Sequence, residues 1–380
     1  MVQCLGGPRG RLDEREVGSL LTLVEFGLAL AAILVAASLF TNAVEILGAR
    51  LGLQQGGVGS VLAAVGTALP ETIIPIVAIL ESVFTGKDPG RAAEIGTGAI
   101  LGAPFMLVTL ALFVIGVSIL AFRRRRTYGT GVQVDEATVG WDAGFFHRHK
   151  THGTEVRIDE TTIGRDVGFF LICFTIAAGA GVVELPFPSR VVIAVLLVVA
   201  YAFYVRRTLA SGGKLEEVPG RLTLWRFSSR PPLWAVVAQA LLALGMIVGG
   251  AHLFVDAVKH AAVAMGLPAG LISLVLAPLA TELPEKFNSI FWVKDGKDTL
   301  ALGNITGAMV FQSTIPVSIG LLFMQWDLAP LDLLAVVLAL VSGAFFFAIL
   351  KHPVQLRAKH LLVCGVFYLI YLVVAVFVVV

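Results

Sequence analysis

The sequence predicts an all-α integral membrane protein of about ten transmembrane helices in two inverted five-helix repeats. Composition, the recurrence of long apolar runs and an internal duplication carry that prediction. Of 380 residues, 57% are hydrophobic and only 14% charged, with a mean hydropathy of +0.89. That balance excludes a water-soluble domain. Lys+Arg number 28 against 26 Asp+Glu, so neither a basic excess suited to nucleic acid nor an acidic disordered tail is present. Cys4, Cys173 and Cys364 lie far apart in apolar or terminal sequence and form neither a metal spacing nor a disulfide framework.

A helix needs about 20 mostly apolar residues to cross the hydrocarbon core. Runs of that kind fall near 18–48, 57–80, 95–121, 167–184, 190–205, 233–258, 269–293, 299–325, 329–350 and 358–379. The chain divides accordingly into a first repeat over 1–121, a polar insert over 122–166, spans four and five with a linker over 167–232, and a second repeat over 233–380. The first run is too long for a signal-peptide core, and the tail before it mixes Arg11, Asp13, Glu14, Arg15 and Glu16, so a retained first helix is expected. Lys and Arg number seven in the segments on the N-terminal side and twenty in the alternate loops, with Lys286 set aside as intramembrane. Cytoplasmic loops keep the positive excess, so a multi-pass protein of the cell (inner or plasma) membrane is expected, its termini both non-cytoplasmic.

The chain aligns with itself at an offset of 214, pairing residues 37–71 with 251–285 without a gap and with fifteen identities in thirty-five positions. Composition bias alone would give only about three or four, so duplication is the better account. Each half then holds an odd number of spans, and the second copy enters the membrane from the opposite face. Secondary transporters use this inverted arrangement, with the substrate site near the midplane where the halves meet.

The duplicated stretch reads Gly66-Thr67-Ala68-Leu69-Pro70-Glu71 in one copy and Ala280-Thr281-Glu282-Leu283-Pro284-Glu285 in the other. A carboxylate at the bilayer centre costs about 2.5–3.5 kcal/mol even on the mildest scale, so it faces a partner or a wet cavity. The proline before each acid removes a backbone donor and frees carbonyls nearby, so each of Pro70 and Pro284 should mark a helix break. Thr67 and Glu71 share a helix face at i, i+4, as do Thr281 and Glu285. Hydroxyl, carbonyl and carboxylate oxygens, doubled by the repeat, suit a hard cation. Ca²⁺ takes about six to eight oxygens, and two glutamates would neutralise it. A purely structural role for both acids fits poorly with their recurrence beside the same Thr and Pro.

Glu282 has two readings. It can be a third cation ligand, or it can be neutralised by Lys286 four residues on, in the favourable order for a helical ion pair. Asn42 and its repeat equivalent Asp256 sit near span ends, and His252, Asp256, Lys259 and His260 form one helical face that reads mainly as interfacial. A second, glycine-rich patch runs from Gly98 to Pro104 in one half and from Gly303 to Met309, then Gln312, in the other. Small residues let helices approach closely, and Asn304 and Gln312 add amide oxygens that could serve as ligands. The insert carries its own short repeat, Val132–Asp142 recurring as Val156–Asp166, and is expected to be a small cytoplasmic loop with strand-like pieces. Its His147, His149 and His152 lack a completing Cys or carboxylate, and a solvated basic loop beside anionic lipid is the favoured reading.

These patches resemble the α-repeats of the cation/Ca²⁺ antiporter superfamily, which includes sodium/calcium exchangers. The family pattern is Gly-Thr-Ser-x-Pro-Glu followed, after a loop, by Gly-Asn-x-x-Gly-Ser-Asn-x-x-Asn or Asp. It is met here by Gly66–Glu71, Thr281–Glu285 and Leu302–Gln312. The resemblance implies that Glu71 and Glu285 bind Ca²⁺, that Thr67 and Thr281 help bind Na⁺ and Ca²⁺, and that the polar residue closing the second patch completes the site. The motif serine is replaced by Ala68 in one half and Glu282 in the other, and Ala99, Pro104, Leu107, Met309 and Gln312 replace further polar positions. Gln312 is similar to what the proton/calcium exchanger branch carries. The expected activity is therefore Ca²⁺ exchange against Na⁺ or H⁺ by alternating access, with the transported ions as the only ligands and no cofactor. A passive cation channel with a glutamate-lined pore is the alternative from another class. An intramembrane enzyme is disfavoured, because the spans contain no His/Cys cluster or Ser/His pairing.

Overall fold

A computed structural model describes residues 24–36, 38–40, 42–43, 46–47, 69–86, 89–128, 156, 158–183, 185–210, 221–225, 231–266, 268–294, 296, 298–353 and 355–379. The side chains of Glu71 and Glu285 are not among what it describes. All regular structure among the described residues is helical. In chain order the helices are α1 (Val24–Phe40), α2 (Leu69–Thr85), α3 (Pro89–Met106), α4 (Leu112–Tyr128), α5 (Glu160–Val182), α6 (Phe187–Ala210), α7 (Leu233–Met265), α8 (Ala269–Thr281), α9 (Leu283–Lys294), α10 (Asp298–Gln312), α11 (Ile315–Phe323), α12 (Pro330–Lys351) and α13 (Ala358–Val379). A π-helical turn, Leu107–Ala111, joins α3 to α4. Seven of the apolar helical stretches are long enough to cross a membrane, and two more, Val24–Phe40 and Thr72–Ser82, are shorter.

Three of the expected single spans are each two helices. The run 269–293 is α8 and α9 with a turn at Glu282, the run 299–325 is α10 and α11 with a turn at Ser313 and Thr314, and the run 95–121 is α3 and α4 around the π turn. Proline explains the first two interruptions. Pro284 has no N–H for the Ala280 carbonyl, and Pro316 has none for that of Gln312. The ladder resumes at once, with Glu282 N–H donating to Pro278 O at 3.0 Å and Lys286 N–H to Glu282 O at 3.1 Å. The expected break at Pro284 is therefore a single residue wide. The segment before Leu69 lies outside the described residues, so the corresponding expectation for Pro70 does too.

Carbonyls loosened by these interruptions are taken up by hydroxyls, as an apolar surrounding requires. Thr109 Oγ1 donates to Phe105 O at 2.6 Å and Ser342 Oγ to Val108 O at 2.8 Å. Thr314 Oγ1 donates to Val310 O at 2.8 Å, and Ser318 Oγ to Thr314 O at 2.8 Å. Helices α2 and α9 both end at a glycine in the left-handed region, Gly86 (φ 64°) and Gly296 (φ 77°), a conformation that costs a side-chain-bearing residue dearly.

Helix pairings occur in reciprocal couples. α4 packs on α13 and α11 on α6, α9 packs on α4 and α2 on α11, α5 packs on α10 and α12 on α3, and α2 packs on α3 as α9 does on α10. Exchanging the halves maps each member of a couple onto the other. The most extensive contact crosses between halves, where α3 lies along α8. Its closeness rests on small residues. A Cβ at Gly98 would collide with the Gly270 carbonyl, and one at Gly102 with the Leu274 carbonyl. Ser273 Oγ donates to Ile95 O across the same seam at 2.7 Å. Outer helices instead expose Val192, Leu196 and Val199 of α6 and Val366, Leu369 and Val373 of α13, the surface a lipid contact calls for.

Among the described residues of the insert no strand is present, and the flanking helices reach into it, α4 to Tyr128 and α5 from Glu160. Of the second copy of the short repeat, Glu160–Asp166 form the start of α5, while the Val156 amide donates to Leu356 O at 3.1 Å. Asp159 Oδ1 accepts from the Thr161 and Thr162 amides at 3.1 and 3.3 Å, and Oδ2 accepts from Thr162 Oγ1 at 2.6 Å. This cap outweighs the β-branched local preference. The Thr162 hydroxyl holds the Asp159 carboxyl below its ordinary range. The first copy, and the three insert histidines, lie outside the described residues.

Replacing Gly102 by Ala should lower the unfolding temperature of the detergent-solubilised protein, at a cost of about 1–3 kcal/mol for forced overpacking. Gly179→Ala, where nothing lies within 4 Å of the added Cβ, should be neutral or stabilising by about 0.5–1 kcal/mol, as expected for glycine inside a helix. A fluorescence-detected thermal ramp distinguishes the two.

Candidate cation site

Of the residues singled out in the sequence, Thr281, Glu282, Glu285, Asn304 and Gln312 fall on the consecutive helices α8, α9 and α10 and the turn between α8 and α9, and Glu71 falls on α2. Thr281 is the last residue of α8 and Glu282 the turn residue after it, both fully buried. Glu285 is the third residue of α9, as Glu71 is of α2, each directly after its proline. Pro75, four residues beyond Glu71, has no N–H to return to the Glu71 carbonyl. Thr67 lies outside the described residues. Asn304 and Gln312 are buried on α10, which packs against α9 and also touches α3. Helix α2, which carries Glu71, touches α8 as well as α3. Helix α2 therefore meets the α3–α8 seam, and α9 continues from the end of α8.

Two features of this junction matter chemically. The first is a pair of charges in the protein interior. Lys286 Nζ lies 2.9 Å from Glu282 Oε2, with side chains 6% and 0% exposed. Of the two sequence readings of Glu282, the geometry displays the ion pair. Tyr368 of α13 is within electrostatic reach of Glu282. The second feature is unmet hydrogen-bonding capacity. Both the Nε2 and Oε1 atoms of Gln312 and the Nδ2 of Asn304 are buried without a hydrogen-bond partner among the described residues. Buried side-chain amides are ordinarily satisfied, and one that is not points to a missing ligand or water.

Sequence reasoning missed a third polar centre. Asp166, 2% exposed, sits on α5 within a face otherwise made of Ile163, Val167, Phe170 and Phe174. Its Oδ2 accepts from Thr306 Oγ1 of α10 at 3.2 Å, and its Oδ1 accepts from Arg165 Nη2 at 3.2 Å. Arg165 in turn reaches Thr208 of α6 at 3.5 Å and lies over the Tyr204 ring. The cluster ties α5 and α6 to the helix bearing Asn304 and Gln312. The helical spacing of Asp166 with those four apolar residues was the available signal, hidden by assigning it to the polar insert.

The interfacial reading of the α7 face fits its surroundings. Lys259 Nζ meets Glu81 at 2.6 Å and Asp256 at 3.7 Å, and His260 Nδ1 lies 3.3 Å from Glu25. Asp256 and His260 are largely exposed. Asn42 Oδ1 accepts from the Thr223 amide at 2.9 Å and from Gln239 Nε2 at 3.0 Å, so it joins the 221–225 segment to α7. Among the described residues no group of three or more His, Cys, Asp or Glu could hold a metal by itself.

The family described as Sodium/calcium exchanger protein matches residues 21–209 and 235–380. The chain belongs to that family. Its multiple apolar helices, seven of them long enough to cross a membrane, agree with that membership. The H⁺/Ca²⁺ exchanger CAX has the same fold, with a TM-score of 0.69 at 19% identity over 94% of this chain and 84% of that one. So has the sodium-calcium exchanger NCX_Mj, determined after soaking with 2.5 mM Na⁺ and 1 mM Sr²⁺, with a TM-score of 0.56 at 18% identity over 93% of this chain and 98% of that one. In sequence, a 134-residue stretch is 29% identical to the uncharacterized membrane protein MJ0091 of Methanocaldococcus jannaschii. That stretch is 34% of this chain and 41% of the relative, and an 89-residue stretch 30% identical to the putative antiporter CaxA of Alkalimonas amylolytica is 23% of this chain and 28% of that relative.

Asp166→Ala should destabilise the folded protein by about 1–3 kcal/mol, since it leaves Thr306 and Arg165 without their buried acceptor. Thr306→Val should cost less, and the double variant less than the sum, because the two side chains share one interaction. Unfolding midpoints of the three variants and the parent protein close the cycle.

Proposed function

We propose that this chain is a secondary antiporter that exchanges Ca²⁺ for Na⁺ or H⁺ by alternating access. The observation that carries this reading is the buried Gln312 amide, whose Oε1 has no hydrogen-bond partner among the described residues, on the helix that packs beside the one bearing Glu285. A buried amide oxygen, two threonine hydroxyls, carbonyls freed by proline and two carboxylates are the ligand chemistry of a hard divalent ion. Glu71 and Glu285 hold the ion, and Thr67, Thr281, Asn304 and Gln312 complete its shell. Carboxylates that bind either the divalent cargo or the driving cations make the two occupancies mutually exclusive, and that exclusion couples the fluxes.

Ten spans in two inverted halves agree with the duplication and with the reciprocal helix pairings. In this arrangement residues 122–166 lie on the cytoplasmic side and both termini on the other. The relationship to both an H⁺/Ca²⁺ exchanger and a sodium-calcium exchanger leaves the driving ion as Na⁺ or H⁺.

In proteoliposomes, radioactive Ca²⁺ uptake should follow an imposed outward Na⁺ gradient or an outward H⁺ gradient, and the two imposed separately identify the driving ion. Glu71→Gln and Glu285→Gln should each reduce uptake by about tenfold or more, the loss expected when a buried ion is left with one charged partner missing. Unchanged uptake in either variant would refute the ligand assignment. Ca²⁺ entry with no counter-ion gradient would identify a channel instead.

A further inference from the structure

The duplication places Ala68 opposite Glu282 and Thr72 opposite Lys286. Where the first copy has two neutral residues, the second has an acid and a base, one helical turn apart. The two charges enter the junction together and cancel. Their contact is direct at 2.9 Å, and both side chains are removed from solvent. Glu282 occupies the turn residue between α8 and α9, and the ammonium reaches back to it from the first turn of α9. An uncompensated carboxylate there would demand a mobile cation; an ammonium fixed on the same chain removes that demand.

We propose that the Lys286 ammonium is a tethered counter-ion that neutralises Glu282 inside the junction, so that the ion site presents two net negative charges and carries one divalent or two monovalent cations per turnover. The inference rests on the reading of Glu71 and Glu285 as the ion-holding pair. Their two charges are what remain once Glu282 and Lys286 cancel. A site that travels neutral in both directions moves no net charge, and the exchange is electroneutral. A cation taken up by Glu282 would instead add a charge to one leg of the cycle.

The experiment uses the reconstituted full chain with the membrane potential clamped by K⁺ and valinomycin. Moving one net charge per cycle is worth about 2.3 kcal/mol per 100 mV, so it would shift steady-state Ca²⁺ accumulation about tenfold for each 60 mV or so. The parent protein should show less than about a twofold change over that interval, and a tenfold shift overturns the proposal. Complete absence of gradient-driven Ca²⁺ movement would overturn the antiporter reading itself, which separates the two failures.

The pair is then tested directly. Glu282→Gln leaves the ammonium unopposed beside the site and should raise the half-saturating Ca²⁺ concentration by about tenfold or more, since one added unit of buried positive charge opposes the cargo. The double variant Glu282→Gln with Lys286→Met removes both charges, keeps the net charge of the site, and should return half-saturation to within about threefold of the parent value, because a buried pair is commonly replaceable by neutral groups of similar volume. A single variant without effect overturns the proposal, and so does a folded double variant as impaired as the single, since Glu282 would then be a ligand. If the single variant fails to fold, the monodisperse double variant decides alone: Ca²⁺ exchange near the parent level supports the tethered counter-ion, and its loss overturns it.

Discussion

Inside a bilayer there is no water to answer a polar atom, so each one must find a partner within the protein or a ligand carried into it. The interruptions at Glu282, at Ser313–Thr314 and around the π turn expose backbone carbonyls that an unbroken helix would satisfy. Hydroxyls of Thr109, Ser313, Thr314, Ser318 and Ser342 take up carbonyls there. Both amide atoms of Gln312 and the Nδ2 of Asn304 are left without a partner among the described residues, as are Arg190 Nε and Tyr371 Oη. Gln312 and Asn304 lie on the helix beside the one bearing Glu285, and in the proposed site the breaks that disturb the backbone are also those that would supply oxygens for a cation.

Close approach of the two halves is the second requirement. Helices α3 and α8 come so near that Gly98 and Gly102 accept no side chain. Lipid tails give apolar side chains no reason to leave them, so backbone proximity and van der Waals contact hold such a seam together. One strand of the seam is the glycine-rich patch of the first half, and the other leads directly into Thr281 and Glu282. The site elements therefore meet where the halves are most tightly joined, and the Asp166–Thr306 bond steadies α10 from the far side.

Much of this was legible in the sequence. The repeat located both Pro-Glu motifs, and its offset placed Glu71 and Glu285 at the same register of their helices. Lys286, four residues beyond Glu282, announced an ion pair as one of two alternatives. Other features were not legible, for physical reasons. Pro284 announced the break within 269–293, but hydropathy sees 299–325 as one apolar run and cannot register that it is two helices. Asp166 was hidden because an acid at the edge of a polar insert looks solvated until a partner such as Thr306, 140 residues away, is seen to cover it. Strand-like pieces were expected in the insert, yet Glu160–Asp166 is helical, because an aspartate placed to cap a helix outweighs weak strand preferences along the stretch.

The sequence by itself determined the membrane character, the duplication and the residue types of the candidate cation site, because composition, period and proline act locally along the chain. Only the tertiary structure decided which polar groups are satisfied. Whether Glu282 faces Lys286, whether Asp166 has an acceptor's partner, and whether Gln312 is left unpaired depend on which helices lie side by side, and that is fixed by packing between residues far apart in the chain.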